Sequence, residues 1–182
     1  VTNDANFEDQ LRLFAGHGMR PRYHHQVIGI NSRLDTIQAA VLNVKMKHLE
    51  SANIARQKNA QLYEALFDDA GLDADIVLPH SIYGTGHVWN QYTVRVKNGR
   101  RDSLKKYLAD RNIGAEIYYP IPVHAQECYQ TCPSIDMDLT ETNRAADEVL
   151  SLPIFPELED AEIHAVVAGV TSFYSMPQSQ AA

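Results

Sequence analysis

The stretch Gly29-Ile-Asn-Ser-Arg-Leu-Asp-Thr-Ile-Gln-Ala-Ala40 crowds polar side chains between a glycine and a run with apolar periodicity. At the start of a helix the first backbone N–H groups lack intrahelical partners and the helix dipole is positive, so an anion is favoured there. Asn31 can donate to a phosphate oxygen, and Arg33 can clamp a carboxylate or phosphate with two parallel hydrogen bonds. The same residues also fit an ordinary helix cap with Arg33 in solvent. Residue types alone leave both readings open.

A second concentration of chemistry is Tyr118-Tyr119-Pro-Ile-Pro-Val-His124, two phenols and an imidazole where a strand should end. Successive strand residues face opposite ways, so only one of Tyr118 and Tyr119 can point into a given cleft unless the strand has already ended. An aromatic clamp within a small domain is the alternative. His17, His24 and His25 offer imidazoles, but adjacent histidines diverge and no Cys or spaced carboxylate completes a metal set. His24 and His25 are expected as loop residues that donate hydrogen bonds. Cys128 and Cys132 would need two further ligands and read as ordinary thiols near a turn. No metal site is expected.

The elements that must hold these residues follow from periodicity. Asn3 or Asp4 can cap a helix over about 7–15, with Phe7, Leu11 and Phe14 on one face and Gly16-His-Gly18 as its stop. Met19 to Ile30 has no sustained period and reads as an ordered, irregular loop of the kind that carries function. Ser32 followed by Asp35 resembles a capping box. From there Leu34, Ile37, Val41, Val44, Leu49, Leu62, Ala65 and Leu66 predict one long helix ended by Gly71. If unbroken it runs for roughly 35 residues and about 50 Å, the length of a helix that joins two domains. Val88 to Val96 alternates as a half-buried strand, 102–111 reads as a helix and 115–119 as a second strand, together a small α+β layer. Helices are also expected at 140–150 and 160–173, separated by Leu152-Pro-Ile-Phe-Pro156. The expected division is 1–48 as the closing part of a larger domain whose beginning is absent, 49–174 as a small α+β domain, and 175–182 as a frayed tail.

Composition narrows the partners. The chain has 182 residues, with 16 Lys and Arg against 23 Asp and Glu and a formal charge of −7, so no basic stripe is available to grip nucleic acid. The small apolar run Ala165 to Val170 is far short of the ~20 residues needed to span a bilayer. The first twenty residues carry Asp4, Glu8, Asp9, Arg12 and Arg20 without an apolar stretch, so no secretory signal is read there. With two cysteines, a reducing, cytoplasmic setting is expected.

Arg12 to Gly18, the Gly-x-Asn-x-Arg-x-Asp-x-x-Gln-Ala-Ala pattern at 29–40, His87 to Val96, Tyr119-Pro-x-Pro-x-His-x-Gln126 and Leu150-Ser-Leu-Pro-x-x-Pro156 together resemble the DegT/DnrJ/EryC1/StrS sugar aminotransferases. The resemblance runs in order along nearly the whole chain, which makes the set far more specific than any one motif. It implies an α/β, fold-type-I (aspartate aminotransferase-like) transferase, here the end of the large domain plus the C-terminal small domain. It further implies pyridoxal 5′-phosphate as cofactor, a homodimer, a nucleotide-linked keto sugar as substrate and glutamate as amino donor. Tyr23-His-His25, Asn31-Ser-Arg-Leu-Asp35 and Gln91-Tyr-Thr-Val-Arg-Val96 are most similar to 3-aminotransferases acting on UDP-linked 3-keto N-acetylhexosaminuronic acids.

By the same resemblance, Asn31 is the asparagine that reaches across the dimer to the cofactor phosphate and Arg33 meets the sugar acid. Tyr118, Tyr119 and His124 fall where the sugar pocket is lined. Position 118 is often His in the uronic-acid enzymes, and Tyr keeps a donor but loses the positive charge. None of Lys45, Lys47, Lys58, Lys97, Lys105 or Lys106 stands in the context of the Schiff-base lysine, which is expected upstream of Val1. The chain alone is therefore expected to be inactive. Two alternatives stay open: a sugar dehydratase of the same fold with His in place of that lysine, and a non-catalytic interaction or regulatory remnant.

Overall fold

The computed structural model describes residues 2–21, 24–82, 84–126 and 137–176. Tyr23, Cys128, Cys132 and most of the expected frayed tail lie outside the described residues. The chain forms two compact units, Val1–Leu49 and Glu50–Ala182, and each is taken by itself.

In the first unit, helix α1 (Ala5–Ala15) starts at Asp4, whose Oδ1 accepts from the N–H groups of Asn6 at 2.9 Å and Phe7 at 3.1 Å. This is one of the two caps that the sequence offered. Gly16 ends the helix by donating to the carbonyls of Arg12 and Leu13. Residues 16–21 and 24–32 then fold back along the helix end. Ile30 N–H donates to Phe14 O at 2.9 Å, His17 N–H to Ile30 O at 3.0 Å, and Ser32 N–H to Ala15 O at 3.0 Å. Isolated antiparallel bridges join Gly16 to Asn31 and Met19 to His25. Main-chain bonds therefore organise the irregular loop, and they require very close approach. A Cβ at Gly29 would overlap the Gly18 nitrogen and stand 2.5 Å from Phe14 O, while Gly18, at φ +65°, would drive a Cβ into the Val27 carbonyl.

The long helix expected from Ser32 onward is in fact two, α2 (Thr36–Met46) and α3 (Leu49–Ala70). Its start is displaced: Ser32 N–H donates to Ala15 O, and the helix begins only after Asp35. The cap falls instead to extended Asp35, whose N–H donates to Gln38 Oε1 at 3.4 Å. Between the helices, Lys47 N–H donates to Val44 O and His48 N–H to Lys45 O, three residues back in each case. Such bonds tighten the last turn and close it. No residue of α1 or α2 is buried, and Ile37 is 81% exposed.

The second unit packs helices on a small antiparallel sheet of order β1-β2-β3: β1 (Ile76–Val77), β2 (Tyr92–Val96) and β3 (Val149–Leu152). As the alternation predicts, Tyr92, Val94 and Val96 are buried while Thr93 and Arg95 are only partly covered. Around them close Ala60, Tyr63 and Phe67 of α3, Leu104 and Leu108 of α4 (Arg101–Ala109), and Ile163, Val167, Val170 and Phe173 of α6 (Asp160–Ser175). Helix α5 (Thr140–Glu148) runs directly into β3, and Arg95 fastens it to β2 through Glu148 at 2.7 Å.

Two readings of this unit need correcting. The helix expected over 140–150 stops at Glu148, because Val149 turns extended and Leu150 pairs with Val94 in the sheet. The strand expected over 115–119 is a single bridge in which Glu116 and Ser151 exchange N–H···O bonds of 3.0 and 2.8 Å. Glu116 is further held by Lys105 Nζ at 2.6 Å and by its neighbour's N–H, from Ile117, at 2.8 Å.

Two outcomes are expected. Gly29→Ala should disorder the 16–32 loop, seen as faster amide exchange at His17, Ile30 and Ser32 with the β2 and β3 amides unchanged; retained protection of the three would contradict the close approach. The Lys105 hydrogen bond, then the Ile117 N–H, hold the Glu116 carboxyl below the ordinary glutamate range. The folded pKa being depressed, the stabilisation is present above the unfolded pKa and is lost as pH falls through the folded one. In an NMR titration Glu116 should turn over below a free glutamate, and Lys105→Met should move it up.

Candidate functional site

Asn31 and Arg33 precede α2 instead of opening it, so the anion site expected at the helix start is displaced onto an extended segment five and three residues ahead of Thr36. In extended backbone, residues two apart face the same side. Arg33 Nε accordingly donates to Asn31 Oδ1 at 3.4 Å. The Asn31 amide and the remaining Arg33 N–H groups have no partner among the described residues, and both side chains are exposed. The segment beneath them is anchored by the Gly16 bridge and by Ser32 N–H, so a flexible pair of donors stands on a fixed base. His25, of the same loop, makes the expected kind of bond, its Nδ1 lying 2.9 Å from His17 O. Asp9 and Arg20 form an exposed pair at 2.7 Å, and this bond holds the Asp9 carboxyl below its usual range.

In the second unit, the chain leaves the sheet at Glu116, so strand alternation does not govern the two tyrosines. Tyr118, 54% exposed, lines a cleft of about 430 Å³ with Arg56, Gln91 and Glu116, against a wall running from Ser151 to Phe155. Tyr119 is 73% exposed and is not part of that cleft. His124 sits in a 3₁₀ turn, 123–125, with its ring in solvent and outside the same cleft. The structure thus brings Asn31 and Arg33 together, and places Tyr118 in a cleft without Tyr119 or His124.

Arg56 and Asn90 were not singled out from sequence. The available signal was Asn59, a polar residue three positions after Arg56, which α3 buries to 4% exposure and which donates to Phe155 O at 3.1 Å. Spacing of three puts both on one helix face. Among the described residues, no group of three or more His, Cys, Asp or Glu is placed to hold a metal ion, and no helix is long and apolar enough to cross a membrane.

Comparison with known proteins converges on one family. The DegT/DnrJ/EryC1/StrS aminotransferase family matches residues 1–171. A "pleiotropic regulatory protein" of Geobacillus stearothermophilus is 39% identical over 96% of this chain and 46% of its own length. The UDP-N-acetyl-3-dehydro-alpha-D-glucosamine 3-aminotransferase of Acidithiobacillus ferrooxidans is also 39% identical, over 90% of this chain and 42% of its own. Among solved structures, Streptomyces venezuelae DesV in complex with a ketimine intermediate superposes with a TM-score of 0.84 at 36% identity, covering 98% of this chain and 47% of that one. The chain spans about half the length of the relatives it matches. Its fold is the shared part of the fold-type-I transferases. Matched along nearly all of its length, the chain belongs to the DegT/DnrJ/EryC1/StrS aminotransferase family.

Proposed function

We propose that these residues form the phosphate-capping and sugar-facing part of a pyridoxal phosphate-dependent aminotransferase acting on a nucleotide-linked 3-keto sugar. Glutamate is the amino donor, the assembly is a homodimer and the setting is cytoplasmic. The observation that carries the reading is the Asn31 and Arg33 pair, joined by the Arg33 Nε to Asn31 Oδ1 bond and otherwise without partners among the described residues, on a segment pinned by main-chain bonds. The Asn31 amide is left to donate to a phosphate oxygen and the rest of the Arg33 guanidinium to an acidic group of the sugar, and among the described residues no carboxylate is bonded to either. The family and the named activity of the Acidithiobacillus relative support the same reading.

In this reading Asn31 holds the cofactor phosphate across the dimer interface, and Arg33 orients the sugar, its free guanidinium edge favouring an acidic one. Tyr118, Tyr119 and His124 donate to the sugar and shield it from water. The chemistry supplied by bound pyridoxal phosphate is an electron sink for exchanging an amino group. The lysine that anchors it comes from residues other than these 182. Lys58 pairs with Asp160 at 3.6 Å, Lys97 donates to Asp73 O at 3.0 Å and Lys105 is taken by Glu116. Lys45 and Lys47, on or just after α2, follow Asn31 by fourteen and sixteen positions and have no acid bonded to them among the described residues. A second reading, a regulatory module on the same fold, is favoured by the name of the Geobacillus relative.

Two tests separate these. With excess pyridoxal phosphate, borohydride should trap no pyridoxyl group at any one lysine of the isolated chain; specific labelling of one would overturn the assignment of the anchor elsewhere. With these residues joined to the upstream half of a family aminotransferase, Asn31→Ala removes a hydrogen bond to a charged group, worth about 1.5 to 3 kcal/mol. Cofactor affinity should then fall roughly ten- to a hundredfold. Arg33→Ala should leave cofactor affinity nearly intact and weaken the keto sugar. Equal cofactor loss in both variants would contradict the division of roles, and none in either would favour the regulatory reading.

A further inference from the structure

The cleft beside β3 carries three polar side chains with nothing to bind. Arg56 of α3 and the amides of Asn90 and Gln91, at the entry to β2, all line it, and among the described residues none of the three has a hydrogen bond or ion pair. Arg56 is only partly exposed. With no carboxylate bonded to it among the described residues, this guanidinium retains its full set of donors.

The walls around these groups are pinned. Asn59, one turn along α3 from Arg56, donates to Phe155 O at 3.1 Å and so fastens the Pro153–Phe155 wall to the helix that carries the arginine. Opposite, Ser151 shares a hydrogen bond of 2.8 Å with Thr93 and is bridged on both sides of its backbone to Glu116. Glu116, the one carboxylate among the described lining residues, is paired with Lys105 at 2.6 Å. Leu152, Ile154, Phe155, Gly114 and Ala115 supply an apolar floor. A volume of about 430 Å³ lies in the range that small-ligand sites occupy.

The geometry points to a binding site for a small organic oxyanion in the cleft that Tyr118 also lines: a phosphate or carboxylate group on Arg56, hydrogen bonds from Asn90 and Gln91, and the ligand's body on the Leu152–Phe155 wall. Phosphate and carboxylate share the planar or tetrahedral oxygens that a guanidinium fork fits. A nucleoside diphosphate and a dicarboxylate are the two sources that this chemistry admits. The assignment does not depend on the role given to Asn31, which belongs to the other unit.

The test is calorimetric titration of the full chain with three probes: pyrophosphate, UDP and glutarate. At least one should saturate with a dissociation constant of about 1 mM or tighter. Preference for UDP over pyrophosphate names a nucleotide, and preference for glutarate names a dicarboxylate. Arg56→Gln should weaken the preferred probe by about tenfold or more, Arg56→Lys should weaken it less, and Arg144→Gln, an exposed arginine of α5 outside the cleft, should leave it unchanged. Should Arg56→Gln fail to fold, phenylglyoxal modification of Arg56 in the unaltered chain, mapped by mass spectrometry, must be slowed by the saturating probe. No saturation by any probe, unchanged affinity in folded Arg56→Gln, or unslowed modification would each overturn the site. Loss of binding with Arg56→Gln alone would leave the Asn31 reading untouched.

Discussion

The placement of Asn31 and Arg33 depends on two backbone segments touching where neither has a side chain. Gly18 and Gly29 meet so closely that a single Cβ at either position would collide with main-chain atoms of the other segment. Beside that contact Ile30 and Ser32 donate back to Phe14 O and Ala15 O at the end of α1, and His17 donates to Ile30 O. Helix α2 starts at Thr36, and residues 31–34 lie outside it. There Arg33 Nε reaches Asn31 Oδ1 at 3.4 Å, whereas a helix would have turned the two side chains about 200° apart. Absence of side chains at two positions thus decides how two others are presented.

The two units rest on different physics. The first has no buried residue in either helix, and its loop is ordered by backbone hydrogen bonds and by the caps at Asp4 and Asp35. The second closes a conventional apolar core in which Tyr63, Tyr92, Leu104, Leu108, Leu150, Ile163 and Phe173 lose nearly all contact with water. Burial of this kind stabilises each large side chain by roughly 1.5–3 kcal/mol. Polar groups at its edge are then fixed by short bonds to the sheet and to α3, as Glu116, Ser151 and Asn59 show. The cleft near Arg56 is shaped by those bonds, with its own donors left over.

Local rules were legible in the sequence wherever one residue decides the outcome. Asp4 caps because its carboxylate reaches the N–H groups of Asn6 and Phe7, Gly71 ends α3 because it accepts φ +65°, and Tyr92, Val94 and Val96 alternate because one face of β2 is buried. What was illegible depends on partners far along the chain. The apolar spacing of α2 and α3 continues across the turn at 47–48, so periodicity alone joins them. Val149 and Leu150 read as helix until Arg95 and Val94 are available to pair with them. Asn31 and Arg33 were visible as donors, but their common side follows from the Ser32 to Ala15 bond, which no spacing rule contains. Arg56 was hidden for the same reason, since its neighbours in the cleft lie 34 or more positions further on.

The central claim is that Asn31, on its pinned extended segment, takes a phosphate. It is tested most directly by following the Asn31 side-chain amide resonance by NMR, in a chain where these residues are joined to the family's upstream half. Pyridoxal phosphate should shift that resonance strongly and pyridoxal, which lacks the phosphate, should not. An Asn31 amide that ignores pyridoxal phosphate, or answers pyridoxal equally well, would contradict the account.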